Sequence, residues 1–249
     1  MGWDVYRWAV RQMQTQPETV KDELRIFLGN HPQFREIEDY LPTQRGHSIS
    51  AENLHLKEHQ KEALASLAAM RENHETIALL YHATGTGKTV TAAMDAKSCG
   101  GRTLFLAHTR ELVDQAAEAF EALWPEVSVG RYMENIKESD THIVCGSIQS
   151  VALHLEQFGE AAFDYLIIDE AHHASADTYQ KVLAWFKPQF TLGLTATPER
   201  TDDNQVILDI FKNTAHKLDI QTAVEIGELV PTRCIRIHTN IDLTKVRFN

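Results

Sequence analysis

Cysteine is scarce in this 249-residue chain. Cys99, Cys145 and Cys234 are scattered, odd in number and without C-x-x-C spacing, which argues against a disulfide framework or a zinc knuckle and leaves buried, reduced thiols. Long apolar runs are missing too: none approaches the roughly 20 residues that cross a bilayer. The N-terminus, MGWDVYRWAVRQ, has neither the basic region nor the unbroken apolar core of a secretory signal. A cytoplasmic protein with no membrane partner is expected. Basic side chains are outnumbered, 24 Lys and Arg against 35 Asp and Glu, for a formal charge of -11. That balance argues against a surface that coats nucleic acid indiscriminately, but a local positive groove remains compatible with it. The 13 histidines form no H-E-x-x-H motif.

Proline and glycine punctuate the first fifty residues. Trp3 to Gln14, Pro17 to Leu28 and Gln33 to Tyr40 read as helices, with Pro17 in a first turn and Gly29 at a C-terminal exit. Trp3, Tyr6, Trp8 and Met13 suit a partner surface, a base-stacking platform or simple packing onto the rest of the chain. Thr43 to Asn53 reads as a linker. The expected organisation is a helical appendage with linker over residues 1–50 and one larger domain over residues 51–249.

From Leu54 the pattern changes. The apolar runs Ile77 to Tyr81, Arg102 to Ala107, His142 to Ser147, Asp164 to Asp169 and Phe190 to Ala196 read as strands. Helical patterns, such as Thr109 to Leu123 and Asp177 to Phe186, lie between them. Near-continuous apolar strands alternating with helices predict an α/β domain whose parallel sheet is covered on both faces.

Two of these strands end in chemistry. Ile77 to Tyr81 runs into HATGTGKT, which fits the phosphate-loop pattern G-x-x-x-x-G-K-[ST] except that His82 holds the first glycine's place. Thr84, Gly85, Thr86 and Gly87 form the turn, whose glycines let backbone N–H groups face phosphate oxygens at a helix start. Lys88 is placed to meet β and γ phosphates and Thr89 to bind Mg²⁺. The strand YLIID ends at adjacent carboxylates: Asp169 suits Mg²⁺, leaving Glu170 free to orient and deprotonate an attacking water.

ATGTGKT, DEAH and LTATP together resemble motifs I, II and III of the superfamily 2 helicases and translocases, over about residues 54 to 200. DEAHHA and LGLTATPER are most similar to the branch that holds the motor subunits of type I and type III restriction enzymes and related DNA repair helicases. The resemblance implies a RecA-like domain, ATP and Mg²⁺ as cofactors, and nucleic acid, DNA rather than RNA, as partner. It implies that Gln60 meets adenine, with Lys57 standing where an arginine is usual. N-K-x-D, which reads guanine, is missing downstream.

Thr109 and Arg110, in the segment similar to motif Ia, then contact strand phosphates, unless Thr109 merely caps a helix and Arg110 is solvated. Ser147 and Gln149 resemble a later backbone-contacting element, with a plain strand-to-helix turn as the alternative. Thr195 and Thr197 correspond to motif III and relay the phosphate state through His172; His173 is structural or touches an opposing domain. Motors of this kind hold ATP between two RecA-like domains. No second GKT follows Arg200, so the resemblance implies a second RecA-like domain as partner, a possible attached nuclease or other protein, and feeble turnover alone. Loss of an arginine finger costs about 10³ to 10⁵ in rate. A nucleotide-responsive module that binds a protein without translocating is the alternative.

Overall fold

The five apolar runs all become strands in the computed structural model, which describes residues 55–173, 177–196 and 210–230. Helix α1 (Glu58–Glu72) leads into β1 (Ile77–His82), then α2 (Lys88–Cys99), β2 (Thr103–Ala107) and α3 (Arg110–Leu123). There follow β3 (Val129–Met133), β4 (Ile136–Lys137), β5 (Ile143–Ser147), α4 (Ile148–Leu153) and β6 (Tyr165–Ile168). Helix α5 (Asp177–Trp185), β7 (Phe190–Thr195), β8 (Thr214–Leu218) and α6 (Ile220–Glu225) complete the described elements. These residues fall within one unit, Ser48–Pro231. The helices expected before residue 50, and Thr197, lie outside the described residues.

The sheet runs β4-β3-β5-β2-β6-β7-β1-β8. The sheet is parallel, as expected, at every pairing but one: β4 turns back antiparallel on β3, with Tyr132 opposite Lys137. A strand of two residues at the edge needs no crossover helix, so a short turn suffices there. The fold is that of a RecA-like α/β domain.

Strand pleating sends alternate residues to two cores. Phe105 and Ala107 of β2 join Ala63, Leu67, Ala92, Ala93, Val113 and Phe120, from α1, α2 and α3, on one face. Leu104 and Leu106 join Ile148, Val151, Val182 and Phe186, from α4, α5 and the turn after it, on the other. Both faces are therefore covered, as the apolar strands required. Among the described residues no helix is long and apolar enough to cross a membrane.

One polar knot ties three of these elements. Asp95 of α2, 1% exposed, accepts from both guanidinium nitrogens of Arg71 at 2.7 and 2.8 Å and from the Tyr165 hydroxyl at 2.5 Å. Replacing Asp95 with Ala strands a half-buried guanidinium and a buried hydroxyl, and is expected to destabilise the fold by about 3 kcal/mol. A urea titration checks this: a midpoint unchanged from the unaltered chain contradicts it.

Candidate nucleotide site

Because β1, β2, β5, β6 and β7 are parallel, the loops that leave their C-terminal ends gather along one edge of the sheet. The loop after β1 turns through Gly85 and Gly87 at φ of 88° and 86°, in the left-handed region where glycine bears no steric penalty. A Cβ at Gly87 would lie 2.6 Å from Gln60 Nε2, so a side chain there would displace the Gln60 amide as well as strain the left-handed backbone. Thr84 and Gly85 are exposed, Thr86 is buried and Gly87, Lys88 and Thr89 are half-buried at the start of α2.

Two strands away, β6 ends at Asp169 and Glu170. The Asp169 N–H continues the sheet, donating to the Leu106 carbonyl at 2.8 Å, and the chain then breaks at Glu170, which takes φ of 51°. A side-chain-bearing residue in that region is held there at a cost of about 1 to 2 kcal/mol. His172 Nδ1 lies 3.0 Å from Glu170 Oε2 and 3.4 Å from the Thr195 hydroxyl at the end of β7. A carboxylate can only accept, so Nδ1 carries the hydrogen and His172 bridges β6 to β7.

The electrostatics link the two loops. Burial lowers the Lys88 ammonium below its usual range, while the Glu170 and Asp169 charges hold it up. Its Nζ donates to the His82 carbonyl at 3.2 Å. Burial, then the neighbouring Glu170 charge, pushes the Asp169 carboxyl up to about 6, against the Glu170 backbone N–H, Lys88 and His108. Two carboxylates thus face a single ammonium, an excess of negative charge that suits a cation. Hard oxygen donors from Thr89 and Asp169, beside a glycine cradle, fit Mg²⁺ with a polyphosphate.

The remaining expected residues are placed as follows. Gln60 is 5% exposed, its Oε1 accepting from the Lys57 N–H at 3.0 Å and its Nε2 reaching the Gly87 carbonyl at 3.4 Å. Thr109 and Ser147 cap α3 and α4, accepting from the Leu112 and Ser150 N–H groups at 3.3 and 3.2 Å. Arg110 and Gln149 are exposed, with Arg110 facing Asp114 at 3.6 Å and Glu134 at 3.8 Å. His173 is exposed beside His172 and His108. Lys88, Asp169, Glu170, His172 and Thr195 come together. The four nucleic-acid candidates lie where β2 gives way to α3 and β5 to α4.

Sequence reasoning passed over Tyr179 on α5. Its hydroxyl is buried with no hydrogen-bond partner among the described residues, and burial with the Asp169 and Glu170 charges pushes it up to about 12. No motif marks it; only the fold brings α5 under the carboxylate pair.

His82, in the first-glycine place, is 0% exposed, between the rings of His59 and His216, with Nε2 2.8 Å from His216 Nδ1. Burial first, then His216, His59 and Lys88, lowers it from 6.5 to about 3. Between those values the unfolded chain binds a proton that the folded chain refuses, so stability falls as pH drops below 6.5. Asp169 acts oppositely from 3.8 to about 6, where the folded chain holds the extra proton. The loss on acidification is therefore clearest above that window. Urea midpoints at pH about 7 and about 6 are expected to fall less in His82→Gln than in the unaltered chain; equal falls contradict the assignment.

A family model described as "Type III restriction enzyme, res subunit" matches residues 53–200. The chain is 29% identical over 200 residues to the type I restriction enzyme EcoAI endonuclease subunit of Escherichia coli, covering 74% of this chain and 24% of that protein. It is 27% identical over 199 residues to the DNA 3'-5' translocase XPB2 of Sulfurisphaera tokodaii, covering 77% of this chain and 41% of that protein. The fold is similar, at a TM-score of 0.55 and 19% identity, to a nuclease-deletion mutant of the type ISP restriction-modification enzyme LlaGI in complex with a DNA substrate mimic. That likeness covers 70% of this chain and 20% of the other.

Proposed function

Since the chain belongs to the type III restriction enzyme res subunit family, within the superfamily 2 motors, we propose that it binds and hydrolyses ATP to drive movement on DNA when joined to a second RecA-like domain. The observation that carries this reading is the convergence of Lys88, Asp169, Glu170, His172 and Thr195 on one edge of the sheet.

Lys88 meets the β and γ phosphates, and the N–H groups of the Gly85 to Gly87 turn cradle them at the head of α2. Thr89 and Asp169 would hold Mg²⁺, whose charge would offset that of the triphosphate. Glu170, fixed by His172, accepts a proton from the attacking water. His172 and Thr195 carry the change at the γ-phosphate to β7, with Thr197 two residues on. Gln60 stands at the loop for the adenine edge; that role requires its amide to exchange the Lys57 and Gly87 partners for the base.

Arg110 and Gln149 track phosphates of the nucleic-acid backbone through exposed side chains, and Thr109 and Ser147 through the helix starts that they cap. The relative XPB2 is named a DNA translocase and EcoAI an endonuclease subunit, which favours DNA over RNA and makes a nuclease a fitting companion. Phosphate release decides the matter, measured with duplex DNA, single-stranded DNA and RNA, for the chain alone and for the chain continued into a second RecA-like domain. Slow release alone and strong stimulation by DNA in the longer protein are expected. Release indifferent to every nucleic acid contradicts the motor.

A further inference from the structure

Two successive side chains of α1, His59 and Gln60, reach two successive carbonyls of the phosphate loop, Thr86 at 3.0 Å and Gly87 at 3.4 Å. His59 is 3% exposed, so its contact is shielded from water. A carbonyl only accepts; Nε2 therefore carries the hydrogen. In a trans peptide the C=O and the following N–H point in opposite directions. Holding the Thr86 carbonyl toward α1 thus turns the Gly87 N–H away from α1. Gly87, with no side chain, puts little restraint of its own on the orientation of this peptide. Within the loop, the Thr86 hydroxyl donates to the Ala83 carbonyl at 2.7 Å, which secures the side chain but not the carbonyl.

The far side of the same ring faces the segment after β8. Nδ1 of His59 is buried without a hydrogen-bond partner and lies 3.6 Å from Glu228 Oε1. The other Glu228 oxygen pairs with Lys57 Nζ, so the carboxylate is held against the first turn of α1. The Glu228 and Leu229 N–H groups both donate to the Ala223 carbonyl, at 2.8 and 3.0 Å, closing the end of α6 on itself. A methyl group at Gly85 would meet Leu229 Cδ2 at 3.5 Å, a second approach of this segment to the loop.

We propose that His59 is a positioning residue that sets the Thr86–Gly87 peptide for phosphate binding and, through Glu228, couples the loop to the segment Asp219–Val230. The inference rests on the nucleotide reading above. Phosphate oxygens that engage the Gly87 N–H fix the peptide and with it the His59 ring, which meets Glu228 by packing at 3.6 Å because a bare Nδ1 has no hydrogen to give. By linkage, a ligand of the segment whose affinity changes by some factor when nucleotide binds changes nucleotide affinity by that same factor.

The test pairs affinity with local hydrogen exchange. A fluorescent ATP analogue with Mg²⁺ is titrated into the unaltered chain, His59→Leu and His59→Gln. His59→Leu, which leaves the carbonyl unanchored, is expected to bind about tenfold more weakly. His59→Gln, whose amide can still donate, is expected to stay within about threefold. Amide exchange over residues 219–230 is then followed with and without the analogue. Nucleotide-dependent protection is expected in the unaltered chain and is expected to vanish in both His59→Gln and Glu228→Ala. Equal affinity in His59→Leu, or protection that survives in either His59→Gln or Glu228→Ala, overturns the proposal. If His59→Leu does not fold, the exchange comparison decides alone. An unaltered chain that binds no nucleotide sinks the nucleotide reading and this inference together.

Discussion

Replacing Lys88 with Ala is expected to weaken nucleotide binding at least 30-fold, about 2 kcal/mol, with the fold retained. The ammonium is half-buried and faces two carboxylates, so no other cation in the loop can take over its contact with phosphate oxygens. Water cannot fully replace it either, because a cleft that lowers the ammonium by burial also strengthens each charge contact made inside it. Alanine at the first residue of α2 preserves the helix. Titration with a fluorescent ATP analogue measures the effect, beside a melting curve that guards against misfolding. Binding within twofold of the unaltered chain would falsify the phosphate-contact assignment.

Glu170→Gln is expected to separate binding from chemistry. The substitution keeps the shape and an oxygen that can accept from His172 Nδ1, so the bridge to β7 persists. It removes the proton acceptor, for which the expected loss in hydrolysis is about 10² to 10⁴. Affinity is expected to stay close to that of the unaltered chain. Because the second RecA-like domain supplies part of the catalytic apparatus in the proposed motor, the rate is read by phosphate release in the two-domain protein. An unchanged rate there removes Glu170 from the role of base, whatever the binding data say.

The central strands were legible because they are buried on both faces. TLFLA and YLII are buried at every position, and a run without polar interruption has few other homes. The edges were not. TAHKL of β8, at one edge, carries His216 and Lys217, because an edge strand keeps one side near solvent and needs no apolar run, and VGRYM of β3, next to the short edge strand β4, carries Gly130 and Arg131. The antiparallel β4 is two residues long and leaves no periodicity to read.

At the site, the GKT turn and the DE pair were legible because each follows its strand directly. The His59 to Glu228 contact joins side chains that no local pattern relates; Lys57, two residues before His59, meets the same carboxylate across 171 positions. A cap at Thr109 and a plain strand-to-helix turn at Ser147 were the alternatives in the sequence, and the geometry shows both hydroxyls engaged by their own helices. Any backbone-tracking role for those positions then falls chiefly to free N–H groups and to the exposed Arg110 and Gln149.

The left-handed backbone at Glu170 has a consequence for timing. In the proposed motor, a kink of the main chain holds the Glu170 carboxylate in place before any fuel arrives. No step of the proposed cycle then has to be reserved for bringing it in, and relaxing the kink between turnovers would disarm it.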